Sequence, residues 1–476
     1  MPRHVVERAI LAALLALLAF LLLFRMGTLG FTWDEGGDLT TVQCLKDTRN
    51  PFACTGDISQ TRLPFYVHAL AGSLMSGTRP HFLVSFLFSA LTLTCVYQFA
   101  LRRFGLGIAT LAGALYVTSP QLLASGRMVV SHSNILCTFF TTVAFLAVVQ
   151  LTETRRVRWL VVCALACGAA AACSIVAVFN APALLAIYLA GRRTSWKDLL
   201  FFPVAAATFF ATTIVYLQPS LFRALIDACR EPNFYKFWNY LGMGPYAPWY
   251  FPLVILVIKV GTWWLLLAAL CGRHVPRWLL ALGIAFLGTL VLKGALFHYD
   301  APHHQVQFYP LLYLFIAVAI GDTLRRRPRV AGIAVAAAFV VQLYGVIQFF
   351  PNYLFYGAQY GDRFIGEFYG PAVIHGQDRD HTWQTIDAIL AREPDAKFLV
   401  ADNNIFERSG PSYVPFTQRD PHARYEYALV DRLYAKHFDA FPERDAYNAY
   451  LAAHYAPIDT RVWPPGVWMY RVLKLR

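Results

Sequence analysis

Apolar residues run along this chain in long blocks that are separated by short basic segments. A block of roughly 20 apolar residues is what a helix needs to cross the hydrocarbon core of a membrane. A cleaved signal peptide is the alternative for the first block, but no A-x-A-like cleavage site follows it. The whole pattern predicts about eleven membrane-spanning helices, near residues 9–29, 82–101, 106–123, 133–151, 158–174, 175–190, 198–217, 250–271, 277–296, 306–321 and 329–350.

The basic residues between the blocks orient the predicted helices. Arg3 and Arg8 precede the first block, so the positive-inside rule places the N-terminus in the cytoplasm. Residues 158–174 and 175–190 must be two spans, because a single tilted helix there would move every later loop to the other side. All the basic clusters then fall on cytoplasmic loops: Arg102 and Arg103; Arg155, Arg156 and Arg158; Arg192, Arg193 and Lys197; Arg273 and Arg277; and Arg325, Arg326, Arg327 and Arg329.

Four polar segments remain on the extracytoplasmic side: 30–81, 218–249, 297–305 and the chain after about residue 351. The composition changes sharply at Pro351 from apolar to mixed polar. We therefore expect a membrane domain of residues 1–350, whose first outer loop is 30–81, followed by a small extracytoplasmic α/β domain, 351–476. Its expected elements are helices at 383–392 and 425–438 and strands at 396–402 and 467–475.

Composition narrows the class further. The chain is 57% hydrophobic and only 14% charged, which is too apolar for a soluble protein of 476 residues. Its net charge of +13 comes in short bursts rather than on one continuous face, so membrane orientation explains it better than a nucleic-acid partner does. No nucleotide-binding glycine loop is present in the sequence, so ATP-driven chemistry has no support.

Two of the nine cysteines differ from the rest. Cys44 and Cys54 lie in the first outer loop, in CLKDTRNPFAC, whereas the others lie in or near predicted helices and read as packing residues. An oxidising compartment allows a disulfide between Cys44 and Cys54, and their spacing permits the bridge without requiring it.

The segment FTWDEGGD at 31–38 places Asp34 and Glu35 immediately after the first predicted span. One interpretation is that either residue caps a helix beginning near Gly36. The other is that the acidic pair belongs to a site at the outer membrane surface.

Further blocks follow this acidic pair in order: TRLPFYVHAL (61–70), GRMVVSHSNILCTFFTTVAFL (126–146), PWYFPLVILVIKVGTWWLLLAALCG (248–272), HHQVQFYPLLYLFIAVAIGD (303–322) and FPNYLFYGAQYGDRF (350–364). Together they resemble the polyprenyl-phosphate-dependent membrane glycosyltransferases of the GT-C fold, which include protein O-mannosyltransferases and the aminoarabinose transferase of lipid A. The resemblance covers residues 1 to about 390.

The resemblance implies a bacterial inner-membrane enzyme that takes a sugar from a polyprenyl-phosphate donor. The acceptor is a lipid, glycan or protein hydroxyl at the extracytoplasmic face, no cofactor is required, and Asp34 is the base with Glu35 beside it. The family's second acidic residue is replaced here by His132, and its basic residue before Pro310 by His303 and His304. Because a phosphate leaves as an anion, the reaction needs no strong general acid, so one carboxylate is sufficient.

Several basic side chains are candidates for binding the donor phosphate. Arg62 and Arg127 lie at outer membrane boundaries, where each is equally suited to anchoring at the interface. Lys259 and Lys293 lie inside predicted spans, where an ionisable residue usually marks a function, although Lys293 is close enough to the interface to snorkel. The run HYDAPHH at 298–304 is a weak metal motif, so a divalent metal stays an open alternative to head-group binding.

A secondary transporter or lipid flippase is the alternative function, with the intramembrane lysines as coupling sites. Its expected signs are inverted repeats and paired broken helices in matching halves, and neither is evident in the sequence. The sequence names neither the sugar nor the acceptor.

Overall fold

The computed structural model describes most residues of the chain. They are 2–24, 33–54, 62–75, 77, 79–128, 134–191, 195–230, 249–272, 275–297, 305–348, 380–400, 412–420, 422–431, 444–463 and 467–476.

The described part of residues 2–348 is helical. In chain order the helices are α1 (Arg3–Leu23), α2 (Trp33–Thr48), α3 (Leu63–Leu74), α4 (Arg79–Phe104), α5 (Leu106–Val117), α6 (Pro120–Arg127), α7 (Asn134–Thr154), α8 (Val157–Cys173), α9 (Ala181–Gly191), α10 (Phe201–Thr212), α11 (Pro219–Arg230), α12 (Phe251–Val260), α13 (Thr262–Cys271), α14 (Arg277–Phe297), α15 (Tyr309–Arg326) and α16 (Pro328–Gln348). Short 3₁₀ segments lie at Ile175–Asn180, Trp196–Leu200, Ile214–Leu217 and Val306–Phe308.

Two predicted spans are broken in the middle. The span 106–123 bends by 55° between α5 and α6, where Pro120 follows the N-cap Ser119. The span 250–271 breaks at Gly261, whose φ of +93° lies in the left-handed region that favours glycine. Both were expected as single helices, and the local reasons for the breaks are a proline and a glycine in mid-span.

Two other predicted spans are irregular. Residues 175–190 begin as a 3₁₀ segment after the extended Ser174 and become α-helical only at Ala181. Residues 198–217 contain α10 between two 3₁₀ segments. Among the described residues, five helices are long and apolar enough to cross a membrane, or six if α5 and α6 count as one span. The predicted number of eleven is therefore not confirmed, whereas a multi-pass helical membrane protein is.

One end of the bundle collects the basic loops, and we call it the basic end. Arg103 at the end of α4 pairs with Glu153 at the end of α7, and its guanidinium lies 5.9 Å from the ring of Trp278 at the start of α14. Thr323 near the end of α15 donates a hydrogen bond of 3.5 Å to the Cys271 carbonyl at the end of α13. The loops predicted to be cytoplasmic after α4, α7, α13 and α15 are thus neighbours.

The opposite end collects the predicted outer segments, and we call it the site end. Here Arg127 at the end of α6 contacts the last carbonyls of α1. Ser85 near the start of α4 donates to the Met128 carbonyl after α6, at 3.1 Å. The Gln305 amide before α15 donates to the Pro252 carbonyl at the start of α12, at 2.9 Å. The start of α4 lies at this end and its last turn lies at the basic end, so these segments are on the opposite side of the bundle from the basic loops.

The described residues after 379 form two helices and a five-stranded sheet. The helices are α17 (Asp380–Arg392) and α18 (Arg444–His454), and the strands are β1 (Phe398–Val400), β2 (Tyr413–Pro415), β3 (Tyr427–Asp431), β4 (Tyr455–Trp463) and β5 (Val467–Leu475). The strand order is β2-β1-β3-β5-β4. Residues 425–438 were expected to be helical, and this was wrong for the described part, because β3 pairs there with both β1 and β5.

Candidate functional site

Helix α2 carries the acidic pair at the site end. Asp34 and Glu35 lie in its first turn, and since the helix is already formed at Trp33, neither residue is the N-cap of a helix that begins at Gly36. Their side chains lie outside the described residues. Asp38 comes one helical turn after position 34 and is only 4% exposed. The sequence already shows this spacing of four residues between Asp34 and Asp38.

Helix α2 is held in place by apolar packing and by a covalent bond. Val42, Leu45 and Phe65 belong to one buried cluster that joins α2 to α3. Cys44 near the end of α2 forms a disulfide with Cys54, with 5.8 Å between their Cα atoms. A disulfide of this kind requires an oxidising compartment to persist. The helix that carries position 34 is thus tied to the segment that follows it.

Arg62 lies at the start of α3 and is only 2% exposed. Its guanidinium carbon is 5.6 Å from the centre of the Phe65 ring. Burial raises the pKa of the Tyr66 hydroxyl, against the opposing charge of Arg62, so this phenol stays protonated at neutral pH. Arg62 therefore places a buried positive charge beside the helix that packs on α2.

Arg127 has a structural task at the end of α1. One of its terminal nitrogens donates to the carbonyls of Leu21, Leu22 and Phe24 at 3.0, 3.1 and 2.9 Å. The last carbonyls of a helix have no partner within the helix, and a cation there also complements the helix dipole. Arg127 therefore fixes the point from which the chain leaves α1 toward Asp34.

A buried histidine pair lies where α3 meets α4. His68 and His81 face each other with 3.3 Å between their Nδ1 atoms, so one ring donates and the other accepts. A Cβ at Gly72 would lie 3.2 Å from Lys46 Cδ and 3.4 Å from His81 Cε1, so the lysine stem passes beside this pair. Burial, with a smaller effect from His81, lowers the pKa of His68 to about 3. The sequence showed no signal for this pair.

The remaining predicted site residues are only partly described. His132, His303 and His304 lie outside the described residues, as does the whole HYDAPHH run, but the nearby Met128 and Gln305 are at the site end. The backbone of Lys293 lies in α14, and its side chain is not described. Within the described ranges, no three His, Cys, Asp or Glu side chains are grouped as a metal site.

Lys259 is buried in the last turn of α12, with 1% of its surface exposed. This position places its charge near the carbonyl end of a half-helix, where a cation is favoured. It lies just before the break at Gly261. The structure therefore puts Lys259 inside the bundle, away from the lipid-facing surface.

A polar network beside the site end joins α7 to the segments before α15. The Gln307 side-chain oxygen accepts hydrogen bonds from Cys137 at 3.2 Å, from Thr141 at 3.4 Å and from Asn180 at 3.1 Å. All four side chains are buried. Because a paired polar group is worth more in a low-dielectric interior, this network fixes the start of α15 against α7.

The geometry brings the start of α2, Arg62, Arg127 and the flanks of His132 and His304 to one end of the bundle, with Lys259 deeper inside it. Residues 60–243 match the family model described as dolichyl-phosphate-mannose-protein mannosyltransferase. No curated protein sequence matches the chain.

Two solved structures share the fold over nearly their whole length. ArnT from Cupriavidus metallidurans in the apo state has a TM-score of 0.56 and 14% identity, covering 98% of this chain and 97% of that one. The same protein bound to undecaprenyl phosphate has a TM-score of 0.52 and 15% identity, with 98% and 97% covered. The resemblance predicted from the sequence is confirmed at the level of the fold: the chain is a helical membrane protein that shares its fold with these two structures.

Proposed function

We propose that this chain transfers a sugar from a polyprenyl-phosphate donor to a lipid, glycan or protein hydroxyl, at the extracytoplasmic face of a bacterial inner membrane. The observation that carries the proposal is the position of Asp34 in the first turn of α2, a helix that packs on α3 and is tied to Cys54 by the Cys44–Cys54 disulfide. The match to a family named for a lipid-phosphate sugar, and the fold shared with a structure that contains undecaprenyl phosphate, support the donor class.

Asp34 acts as the general base in this proposal. It accepts the proton of the acceptor hydroxyl while the acceptor oxygen bonds to the anomeric carbon of the sugar. The bond from that carbon to the phosphate oxygen breaks, its electron pair stays on the phosphate, and the anomeric configuration inverts. A positioned base contributes roughly 10² to 10⁴ in rate.

The departing phosphate needs cations, and three of the described cations are buried: Arg62, Arg127 and Lys259. Arg62 is 2% exposed at the start of α3, and Lys259 is 1% exposed within the bundle. Lys293, His132, His303 and His304 are further candidates from the sequence. Arg127 is better suited to positioning the end of α1, because its terminal nitrogen already binds three carbonyls.

Two observations support the assignment of the site to the outer face. The disulfide fits an oxidising compartment, and the basic loops gather at the opposite end of the bundle. This orientation also makes residues 351–476 extracytoplasmic.

Proteoliposomes containing the full chain test the proposal directly. They are given a panel of undecaprenyl-phosphate sugars, each radiolabelled in the sugar, together with envelope lipids and glycans as acceptors. We expect one donor to pass its label to an acceptor. Uptake of label without transfer would favour the transporter alternative, whose expected signs include broken helices such as the two found here. If neither transfer nor uptake were observed, both functions would be contradicted.

A further inference from the structure

Helix α6 carries two buried polar side chains whose polar groups lack a hydrogen-bond partner in the described part of the chain. Gln121 is 1% exposed and Ser125 is 0% exposed. Among the residues that the structure describes, neither the oxygen nor the nitrogen of the Gln121 amide forms a hydrogen bond, and the same holds for the Ser125 hydroxyl. A buried amide left unpaired is destabilising, because it has lost its hydrogen bonds to water without replacing them. Such a side chain inside a packed helix therefore points to a ligand.

The direction of these side chains follows from the neighbouring glycine. A Cβ at Gly126 would lie 2.9 Å from Leu22 and 3.3 Å from the Ser89 hydroxyl, so that face of α6 meets α1 and α4. At about 100° per residue, Ser125 is rotated by about 100° from Gly126 around the helix axis, and Gln121 by about 140° in the same direction. The other elements packed on α6 outside the break are α7, α12 and the turn Val306–Phe308. The two polar side chains therefore point away from the face that meets α1 and α4, which leaves α7, α12 and the turn Val306–Phe308 as the elements that can face them.

Lys259 lies on α12, at a depth similar to that of Gln121. The breaks of the two half-helices are joined by Gln342, whose amide nitrogen binds the Thr118 carbonyl at 2.7 Å and whose oxygen accepts from the Trp264 indole. Thr118 comes three residues before Gln121, and Trp264 comes five residues after Lys259. Gln121 also lies about 9 Å along α6 from Arg127, measured at 1.5 Å per residue.

The unpaired groups favour one class of ligand. A carboxamide presents a donor and an acceptor side by side, and a serine hydroxyl is both. A phosphate offers only acceptors, so it would leave the Gln121 oxygen unpaired. Neighbouring hydroxyls of a sugar ring donate and accept at once and satisfy both atoms of the amide.

We infer that Gln121 and Ser125 form a binding subsite for the sugar ring of the donor, on the side of α6 that meets α7 and α12. This inference rests on the proposed function, and it adds the residues that tell a sugar-bearing lipid from the bare lipid phosphate. Lys259, at a similar depth, is placed to serve the charged part of the same ligand.

The test compares two variants of the full chain in nanodiscs. Gln121→Met removes the unpaired amide at similar volume, and Gln342→Met removes an amide whose two ends are both bonded. The probes are undecaprenyl phosphate and the undecaprenyl-phosphate sugar that the wild-type chain binds most tightly in the panel. Binding affinity, apparent Tm and transfer are measured for each protein.

We expect Gln121→Met to bind the sugar-bearing lipid about tenfold more weakly or worse, since it loses two hydrogen bonds. Its binding of bare undecaprenyl phosphate and its apparent Tm should not fall. Gln342→Met should instead lower the apparent Tm. Wild-type affinity of Gln121→Met for the sugar-bearing lipid would overturn the inference, as would equal losses for both lipids. A wild-type chain that transfers none of the sugars would overturn the proposed function, which is a separate outcome.

Discussion

Arg127 is predicted to stabilise the chain by holding the end of α1, and the perturbation that tests this is Arg127→Met. Methionine keeps an unbranched stem but cannot donate to the carbonyls of Leu21, Leu22 and Phe24. The terminal nitrogen carries two hydrogens, so at most two of the three contacts are full charge-assisted bonds. At about 1.5–3 kcal/mol each, their loss amounts to about 3–6 kcal/mol.

Removing a buried cation also removes its desolvation cost, which offsets part of that loss. We therefore expect Arg127→Met to lower the free energy of unfolding by about 3 kcal/mol. The assay is SDS-induced unfolding in mixed micelles, followed by tryptophan fluorescence. Arg326→Met is the matched control, because its side chain is 63% exposed and its ion pair with Asp322 is on the surface, where such pairs contribute about 0–1 kcal/mol.

The refuting result is specific. If Arg127→Met were no less stable than Arg326→Met, the hydrogen bonds to α1 would not carry the stability assigned to them. If that stable variant had also lost its affinity for undecaprenyl phosphate, Arg127 would be a phosphate ligand, as the sequence first suggested.

Two further predictions concern the segment around α2. Replacing both Cys44 and Cys54 with serine should lower the apparent Tm and reduce transfer, because the disulfide joins residues with a sequence separation of 10 and a disulfide typically stabilises a protein by about 2–4 kcal/mol. A reductant should have the same effect on the wild type. An unchanged apparent Tm in the double variant would contradict this prediction. His68, whose pKa is lowered to about 3, is neutral in the folded chain while an unfolded histidine titrates near 6.5. The stabilising contribution of neutral His68 is complete above about pH 6.5 and is lost as the pH falls toward 3. The apparent Tm of His68→Gln should therefore fall less steeply below pH 6.5 than that of the wild type. The exposed control His454→Gln should show the same decline as the wild type.

The helical membrane fold was predictable because long apolar blocks and basic loops carry a strong, local signal. Its breaks were less visible. Gly261 and Pro120 are single residues in apolar blocks. The hydrogen bonds that stabilise both breaks come from Gln342, which is remote in sequence and binds Thr118 and Trp264 across the bundle. The strand β3 was taken for a helix because its pairing with β1 and β5 comes from contacts that a local pattern does not contain.

The candidate site likewise contains features with a local sequence signal and features that depend on contacts between distant residues. Asp34 and Glu35 stood out because charge beside an apolar block is conspicuous, and their role in the site stays a prediction. The spacing of Cys44 and Cys54 permitted the bridge that the structure contains. For Arg127 the sequence suggested either phosphate binding or anchoring at the interface, and it gave no sign of the contacts to α1, because these join residues about a hundred positions apart. Gln121 and His68 carried no signal, because an amide or imidazole in an apolar helix is notable only once its partners, or their lack, are known.

The central claim is that Asp34 is the base of a glycosyl transfer. Its most direct test is the transfer rate of Asp34→Asn in proteoliposomes, alongside the binding of undecaprenyl phosphate and the apparent Tm. The account predicts a fall in rate of roughly 10² or more, with donor binding and stability retained. Transfer at the wild-type rate by this variant would contradict it.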